Sequence, residues 1–413
     1  MVLVGLRGRM ETTPVPSVLD LFAAPGGLSL GFKDAGYRIC AVVDSDRWGC
    51  ETLTHNLCKD GTLLIQSDIE DLQSKIRGRT DVVVGGPPCQ SFSLVGRPKI
   101  NHLRLMEKRK RFIDDRRNRL YKHFVSIVNE FRPQFFVMEN VAGIISFKEG
   151  RVRDQILEDF EKIGYETDVN ILNAATFGVP QVRNRTIFIG NRIGMKNPFP
   201  KRTHFDPLKR VQVKLEESGR EWKPYLTVFD AISDLPPLQA GEGEDESEYP
   251  PVSNLTSYQR WAREGSTKLY NHVARNHSER DRELFRMLDP GQEMIDLPEK
   301  LRPYHWKTKD NQPLFVDKIK KQRWDRPSST ILAHMQKDGL MYVHPNRKQA
   351  RSFTPREAAR LQSFPDSYRF MCPLTLQFKQ IGNAVPPILA RAIALEIKAF
   401  LEPLKLPIVR YAE

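Results

Sequence analysis

Between Ser17 and Gly190, short β-branched runs alternate with stretches of helical periodicity, a pattern that points to βαβ units on a parallel sheet. The runs SVLDLF (17–22), ICAVVD (39–44), DVVVGG (81–86), QFFVMEN (134–140) and RTIFIG (185–190) read as strands. Leu120, Phe124, Ile127, Val128 and Phe131 fall on one helical stripe, and Val152, Ile156, Phe160 and Ile163 on another. A doubly wound α/β core follows. After about residue 195 the texture changes to charged, Pro-interrupted sequence with an acidic stretch (Glu242, Glu244, Asp245, Glu246, Glu248), which reads as a separate unit. Order returns at Thr354-Pro355-Arg356-Glu357, where a cap residue, a first-turn proline and a reciprocal glutamate open a helix. A last helix is predicted from Pro387 to about Leu401, with Leu389, Ile393, Ile397 and Phe400 on one stripe.

The chain has 413 residues, long enough for two or three domains, and its 40% hydrophobic and 28% charged residues exclude wholesale disorder. No stretch reaches the roughly 18 apolar residues of a membrane span, and Met1 to Met10 holds no apolar run of signal-peptide length, so a cytoplasmic location is expected. The five cysteines (Cys40, Cys50, Cys58, Cys89, Cys372) form no CxxC pair, which argues for free thiols and against a zinc ribbon or a disulfide framework. The net charge of +13 favours a polyanionic partner. It is concentrated: Arg97 to Lys122 carries eleven Lys/Arg against Glu107, Asp114 and Asp115.

Several strand ends carry residues suited to chemistry. The first strand runs into Phe22-Ala-Ala-Pro-Gly-Gly27, a glycine turn before a helix, at the sheet edge where such folds bind nucleotides. It is neither GxGxxG nor a Walker motif, which weakens dinucleotide and triphosphate readings. Asp44 ends the second strand, placed to accept hydrogen bonds from ribose hydroxyls. Cys89 lies past the third predicted strand, behind Pro87-Pro88 and just before the basic segment, where cationic surroundings would raise its thiolate fraction. Glu139 directly follows an apolar run; partial desolvation there favours a protonated carboxyl able to hydrogen-bond a ring nitrogen. Strand alternation points Gln181, Arg183 and Arg185 to one side, either as an anion clamp or as solvated surface arginines.

Taken in order, DLFAAPGGLSLGF (20–32), VVDSD (42–46), SDIEDL (67–72), VVVGGPPCQSFS (82–93), VMENVAGI (137–144), QVRNR (181–185), RPSSTI (326–331) and QIGNAVPP (380–387) resemble the motifs of the bacterial and archaeal cytosine-5 DNA methyltransferases of restriction-modification type. The resemblance spans nearly the whole chain. It implies S-adenosyl-L-methionine as cofactor on a Rossmann-like, mostly parallel sheet, and a flipped-out cytosine in duplex DNA as substrate. It also implies a smaller, irregular DNA-recognition domain. By that resemblance Cys89 is the nucleophile at carbon 6, Glu139 acts on ring nitrogen 3, Arg183 assists Glu139, and Arg185 supports it. Phe22, Ala24, Gly26 and Gly27 would line the cofactor, Asp44 would meet its ribose, Asp68 and Ile69 would lie near its adenine, with Ser45 where a bulky residue often packs on adenine, and Pro88, Asn383 and Ala384 would complete the pocket. Asp44 and Ser45 depart from the family pattern, which usually has glutamate and then a bulky residue.

The implied organisation is a catalytic core over 1–195, a target-recognition domain over 196–369 with its variable part at about 200–320, and a C-terminal helix over 370–413 returning to the core. The basic segment 97–122 is expected to close as a lid over the extruded base. Arg260, Trp261, Arg263, Tyr270 and His272 suit either DNA contact or helix packing, and His272 and His277 are expected to be structural rather than metal ligands. A monomer is expected, with a cognate restriction endonuclease as a frequent companion in the family. Two alternatives stand beside this reading: a methyltransferase acting on transfer RNA, which the long recognition interval disfavours, and a catalytically silent DNA-binding relative, which the intact Cys89 and Glu139 disfavour. The sequence does not specify the DNA target.

Overall fold

In a strand buried on both faces most side chains are apolar, and the period of two decides which layer each one joins. Val82 and Val84 face one layer and Val83 the other; Phe135 and Val137 oppose Phe136 and Met138 in the same way. The computed structural model describes residues 14–72, 75–88, 120–208, 222–302, 318–402 and 408–411. Its strands are β1 (Ser17–Leu21), β2 (Arg38–Asp44), β3 (Leu63–Gln66), β4 (Ile76–Arg79), β5 (Val82–Gly85), β6 (Phe135–Val141), β7 (Glu166–Asn173) and β8 (Asn184–Asn191), followed by shorter strands. All of these eight except β4 form one seven-stranded sheet in the order β3-β2-β1-β5-β6-β8-β7. The pairs β1–β2, β1–β5, β2–β3 and β5–β6 are parallel, and β8 runs antiparallel to β6 and β7. β4 stands apart, paired antiparallel with Ile408–Tyr411.

The five predicted strands form with nearly the predicted bounds. β3 and β7 were not predicted, for a physical reason: both are edge strands, and β7 (ETDVNILN) is largely exposed or half-buried, so it lacks the apolar run that marks an interior strand.

Helices α1 (Gly27–Asp34), α2 (Arg47–Leu57), α3 (Ile69–Leu72), α4 (Leu120–Phe131) and α5 (Arg151–Lys162) cover the sheet from both sides. One layer joins Leu28 and Phe32 of α1 and Leu53 and Leu57 of α2 to the inner faces of the strands. The other joins Ile69 and Leu72 of α3, Phe124 and Val128 of α4, and Ile156 and Phe160 of α5. Both predicted helical stripes are the buried faces of α4 and α5. The next helices are α6 (Val228–Ile232), α7 (Ser257–Arg263) and α8 (Glu279–Met287), and then α9 (Pro355–Leu361), α10 (Leu374–Asn383) and α11 (Pro387–Lys398).

The chain comes back to the sheet through the last two helices. Leu389, Ile393 and Ile397 of α11 complete the layer that holds α1. Phe378 and Ile381 of α10 instead join a third core with Val228, Tyr258, Leu269, Tyr342, Phe353 and Phe364. The capping box of α9 forms as predicted, with Thr354 Oγ1 accepting from the Glu357 N–H and Glu357 accepting from the Thr354 N–H at 2.7 Å. Glu357 also receives the fully buried Arg351 guanidinium at 2.8 Å on both oxygens. Burial alone would raise this carboxyl; Arg351 overrides it and holds Glu357 well below the ordinary carboxylate range. Among the described residues no helix is long and apolar enough to cross a membrane.

Candidate active site

The carboxyl ends of β1, β2, β5 and β6 open onto one cleft of about 520 Å³, walled on the far side by residues 332–334 and by α10 with the turn after it. At its floor β1 turns through Phe22, which adopts a left-handed φ of 58°. A phenylalanine held there is strained, a conformation that recurs at ligand-binding turns. The turn is tied to the next strand: the Ala23 N–H donates to Val43 O at 2.9 Å and the Ala24 N–H to Asp44 Oδ2 at 2.9 Å. Asp44 Oδ1 accepts from the Asp46 N–H at 2.8 Å. Burial pushes the Asp44 carboxyl up, against the pull of these backbone donors. Gly27 opens α1 directly beneath the cleft, where any Cβ would collide with Val385 O.

Glu139 and Arg185 meet at the other end of the cleft. The parallel register Gly85↔Met138 sets Glu139 abreast of Gly86, and a Cβ on Gly86 would sit 3.1 Å from Glu139 Oε2. The antiparallel register Val141↔Arg185 puts Arg185 diagonally across from Glu139 on the same face. Arg185 Nε lies 2.8 Å from Glu139 Oε1, and both side chains are mostly buried. Burial raises the Glu139 carboxyl above the ordinary range, and Arg185 and then Arg183 pull it back. The pair therefore presents a desolvated carboxyl, with burial favouring its protonated form, backed by the Arg185 guanidinium.

The cleft wall includes Phe22, Ala24, Gly27, Asp44, Ser45, Pro88, Glu139, Arg185, Asn383 and Ala384 from the sequence reading. Arg183 is placed differently. Its guanidinium is fully buried and donates to Ile331 O at 2.6 Å, Gly382 O at 2.9 Å and Ala384 O at 2.9 Å. The arginine that touches Glu139 is thus Arg185, and Arg183 ties together the two segments of the far wall. The one-sided arginine clamp fails because the residues before β8 leave the sheet to reach that wall. Gly26 has φ 102° and faces Tyr368, Leu53 and Leu57 behind the turn. Asp68 starts α3 by accepting from the Glu70 N–H at 3.1 Å, and Ile69 is buried in the layer below; neither lines the cleft. Cys89 and positions 97–119 of the basic segment lie outside the described residues.

Arg260, Trp261, Arg263, Tyr270, His272 and His277 are engaged within the protein, with the Arg369 guanidinium over the Tyr270 ring. Arg263 pairs with Asp234 at 2.7 Å and lies over the Tyr249 ring, Arg260 donates to Leu255 O at 2.5 Å, and Trp261 packs on Tyr258. His272 binds Thr354 Oγ1 and Pro236 O, each at 3.0 Å, and His277 binds Ser352 Oγ at 2.9 Å. Packing therefore accounts for them.

Asn140 and Gln380 are among the cleft residues that the sequence did not single out. Asn140, whose Nδ2 donates to Pro87 O at 3.2 Å, fixes the chain just ahead of Cys89. Gln380 lines the cleft with its Nε2 buried and unpartnered among the described residues. Their places inside VMENVAGI and QIGNAVPP were the available signal. A strained turn at Phe22, a Gly27 backbone where no side chain fits and a strand-end aspartate are features that fit a nucleoside-bearing cofactor.

A family model for C-5 cytosine-specific DNA methylase matches residues 17–399. The chain is similar to the type II methyltransferase M.DdeI of Desulfomicrobium norvegicum, at 36% identity over 94% of this chain and 90% of that protein. It is similar also to the type II methyltransferase M.Bpa9945I of Bacillus paralicheniformis, at 33% identity over 92% and 98%. In fold it resembles a prophage-encoded E. coli protein described as a DNA modification methyltransferase, with TM-score 0.66, 24% identity and coverage of 93% and 99%. It resembles as well the methyltransferase EhMeth of Entamoeba histolytica, with TM-score 0.53, 14% identity and coverage of 94% and 99%.

Proposed function

The chain belongs to the C-5 cytosine-specific DNA methylase family, and on that premise we propose that it uses S-adenosyl-L-methionine to methylate carbon 5 of a cytosine extruded from duplex DNA, through a covalent adduct with Cys89. The observation that carries this reading is the meeting of two half-sites in one cleft: the turn at Phe22–Gly27 with Asp44 at one end, and the Glu139–Arg185 pair, 2.8 Å apart, at the other.

Carbon 5 of cytosine is too weak a nucleophile to react unaided. The Cys89 thiolate adds to carbon 6, forming a carbon–sulfur bond, and Glu139 gives its proton to, or shares it with, ring nitrogen 3, so the displaced electron pair makes carbon 5 enamine-like. Arg185 holds Glu139 in place and stabilises its carboxylate as the proton leaves. S-adenosyl-L-methionine, when bound, supplies an electrophilic methyl group. Phe22, Ala24, Asp44, Ser45, Pro88, Asn383 and Ala384 hold it against the strand ends. Once carbon 5 carries the methyl group, with the sulfonium carbon–sulfur bond broken to leave a neutral thioether, its proton departs to a base, the carbon 6–sulfur bond breaks, Cys89 leaves as thiolate, and ring nitrogen 3 returns its proton to Glu139. Attack perpendicular to the ring requires the base to leave the stack, which costs a few kcal/mol.

Transfer of labelled methyl groups to duplex DNA and to transfer RNA tests the substrate. Label in duplex DNA at cytosine carbon 5 is expected; labelling of transfer RNA alone would overturn the reading.

A further inference from the structure

A backbone carbonyl has no proton to give, so a hydroxyl bonded to one is the donor and the direction of the bond is fixed. The Tyr368 hydroxyl donates to Pro25 O, in the turn between β1 and α1. Tyr368 is 3% exposed and does not line the cleft, whereas Ala24, Pro25 and Gly27 do. The phenol meets the turn from behind. Gly26 turns its missing Cβ toward the same hydroxyl, so the back of the turn rests on Tyr368 with no side chain between them. Burial, and then Asp20, push the phenol above its ordinary range and keep it a donor.

The other bonds on this turn are local. The Ala23 N–H donates to Val43 O, the Ala24 N–H to Asp44, the Gly26 N–H to Ala23 O at 2.6 Å and the Leu30 N–H to Gly26 O at 2.8 Å, all within β1, β2 and α1. Among the described residues Tyr368 alone reaches residues 23–26 by a hydrogen bond from beyond α2. It comes from a different core. Its ring packs with Phe364 and Phe370, centroids 4.9 and 5.6 Å away, in the third core with Val228, Tyr258 and Leu269. Its backbone is pinned too: the buried Arg356 donates to Tyr368 O at 2.8 Å. Asn56 of α2 brackets the next residue, accepting from the Arg369 N–H at 3.0 Å and donating to Arg369 O at 2.8 Å. The hydroxyl has little freedom to follow the turn, so the turn is held to it.

We propose that Tyr368 is a positioning residue for the cofactor: by holding Pro25 O behind the turn, it keeps the backbone of Ala24 to Gly27 in the shape that receives S-adenosyl-L-methionine, without touching the cofactor. The assignment rests on reading the cleft as the cofactor site. A turn already held in its binding shape loses less free energy to ordering when the ligand arrives. Cofactor affinity thereby depends on the third core, which lies outside the two layers of the sheet.

Tyr368→Phe removes the hydroxyl and keeps the ring. Calorimetric titration of the cofactor-free protein with S-adenosyl-L-homocysteine, well below the melting temperature, is expected to give a dissociation constant about fivefold above wild type. In methylation of random-sequence duplex DNA, KM for S-adenosyl-L-methionine should rise by a similar factor while kcat at saturating cofactor holds. A lower melting temperature with dissociation constant and KM unchanged would mean that the bond serves stability alone and would overturn the proposal, as would a loss confined to kcat. Should Tyr368→Phe not fold, Asn56→Ala keeps the hydroxyl and removes the bracket on Arg369. It is expected to weaken S-adenosyl-L-homocysteine about twofold, and wild-type affinity in that variant would again overturn the proposal. Wild-type protein that does not bind S-adenosyl-L-homocysteine would overturn the cofactor reading itself, a result distinct from equal binding by wild type and variant.

Discussion

Asp20 sits in the middle of β1 with Oδ2 accepting from the Ser29 N–H at 3.1 Å and the Ser29 hydroxyl at 2.6 Å, while Oδ1 has no partner among the described residues. Burial pushes its carboxyl up to about 7, against the two Ser29 donors. An acid whose folded value lies above its unfolded one, near 3.8, favours folding fully below the unfolded value and loses that contribution as pH rises through the folded one. Wild-type stability is therefore expected to fall between about pH 4 and pH 7 by on the order of a few kcal/mol from this group. Asp20→Asn, which keeps an acceptor for Ser29, should flatten that slope. Melting temperatures of both proteins across the range check it; parallel curves would contradict the burial argument. Asp20 was not singled out in the sequence, where one aspartate in an apolar strand gives no sign of whether water reaches it. Glu139 was legible, since a carboxylate ending an apolar run must be partly desolvated. The roles of Arg183 and Arg185 were not separable, because two arginines two residues apart differ only in where the chain leaves the sheet.

At the level of elements, the interior strands and the stripes of α4 and α5 were legible because burial imposes a period, and β3 and β7 were not because sheet edges relax it. The contact between α1 and α11 belongs to neither pattern. It depends on Gly31, where a Cβ would sit 2.5 Å from Ala390 Cβ and Pro387 O and 2.6 Å from Arg391 N. Two of these three atoms are backbone and cannot turn aside. Gly31→Ala gains about 1 kcal/mol of helix propensity but must push the two helices apart, and overpacking typically costs about 1–3 kcal/mol. A net loss of up to about 2 kcal/mol, read as a lower urea midpoint, is expected; a raised midpoint would show that the helices part freely. The same helix pair places Val385 against Gly27, so the far wall of the cleft should loosen with it.

Taken whole, the cleft is assembled from residues 22 to 385, and its two sides are joined across long separations in sequence. Arg183 holds Ile331, Gly382 and Ala384 together, Thr52 reaches Gln380, and the Tyr368 hydroxyl donates to Pro25 O. Motif order in the sequence announced which segments belong to the site; it carried no information on which buried side chains would tie them, because such ties follow from packing rather than spacing. The proposed reaction depends on a thiolate at Cys89 working against Glu139. Random-sequence duplexes carrying 5-fluorocytosine, incubated with the protein and S-adenosyl-L-methionine, block release of the adduct because fluorine replaces the proton that must depart from carbon 5. Mass spectrometry of the trapped peptide is expected to place the methylated base on Cys89, with no adduct in Cys89→Ala and slower trapping in Glu139→Gln. No adduct with wild-type protein, or one on Cys40, Cys50, Cys58 or Cys372, would contradict it.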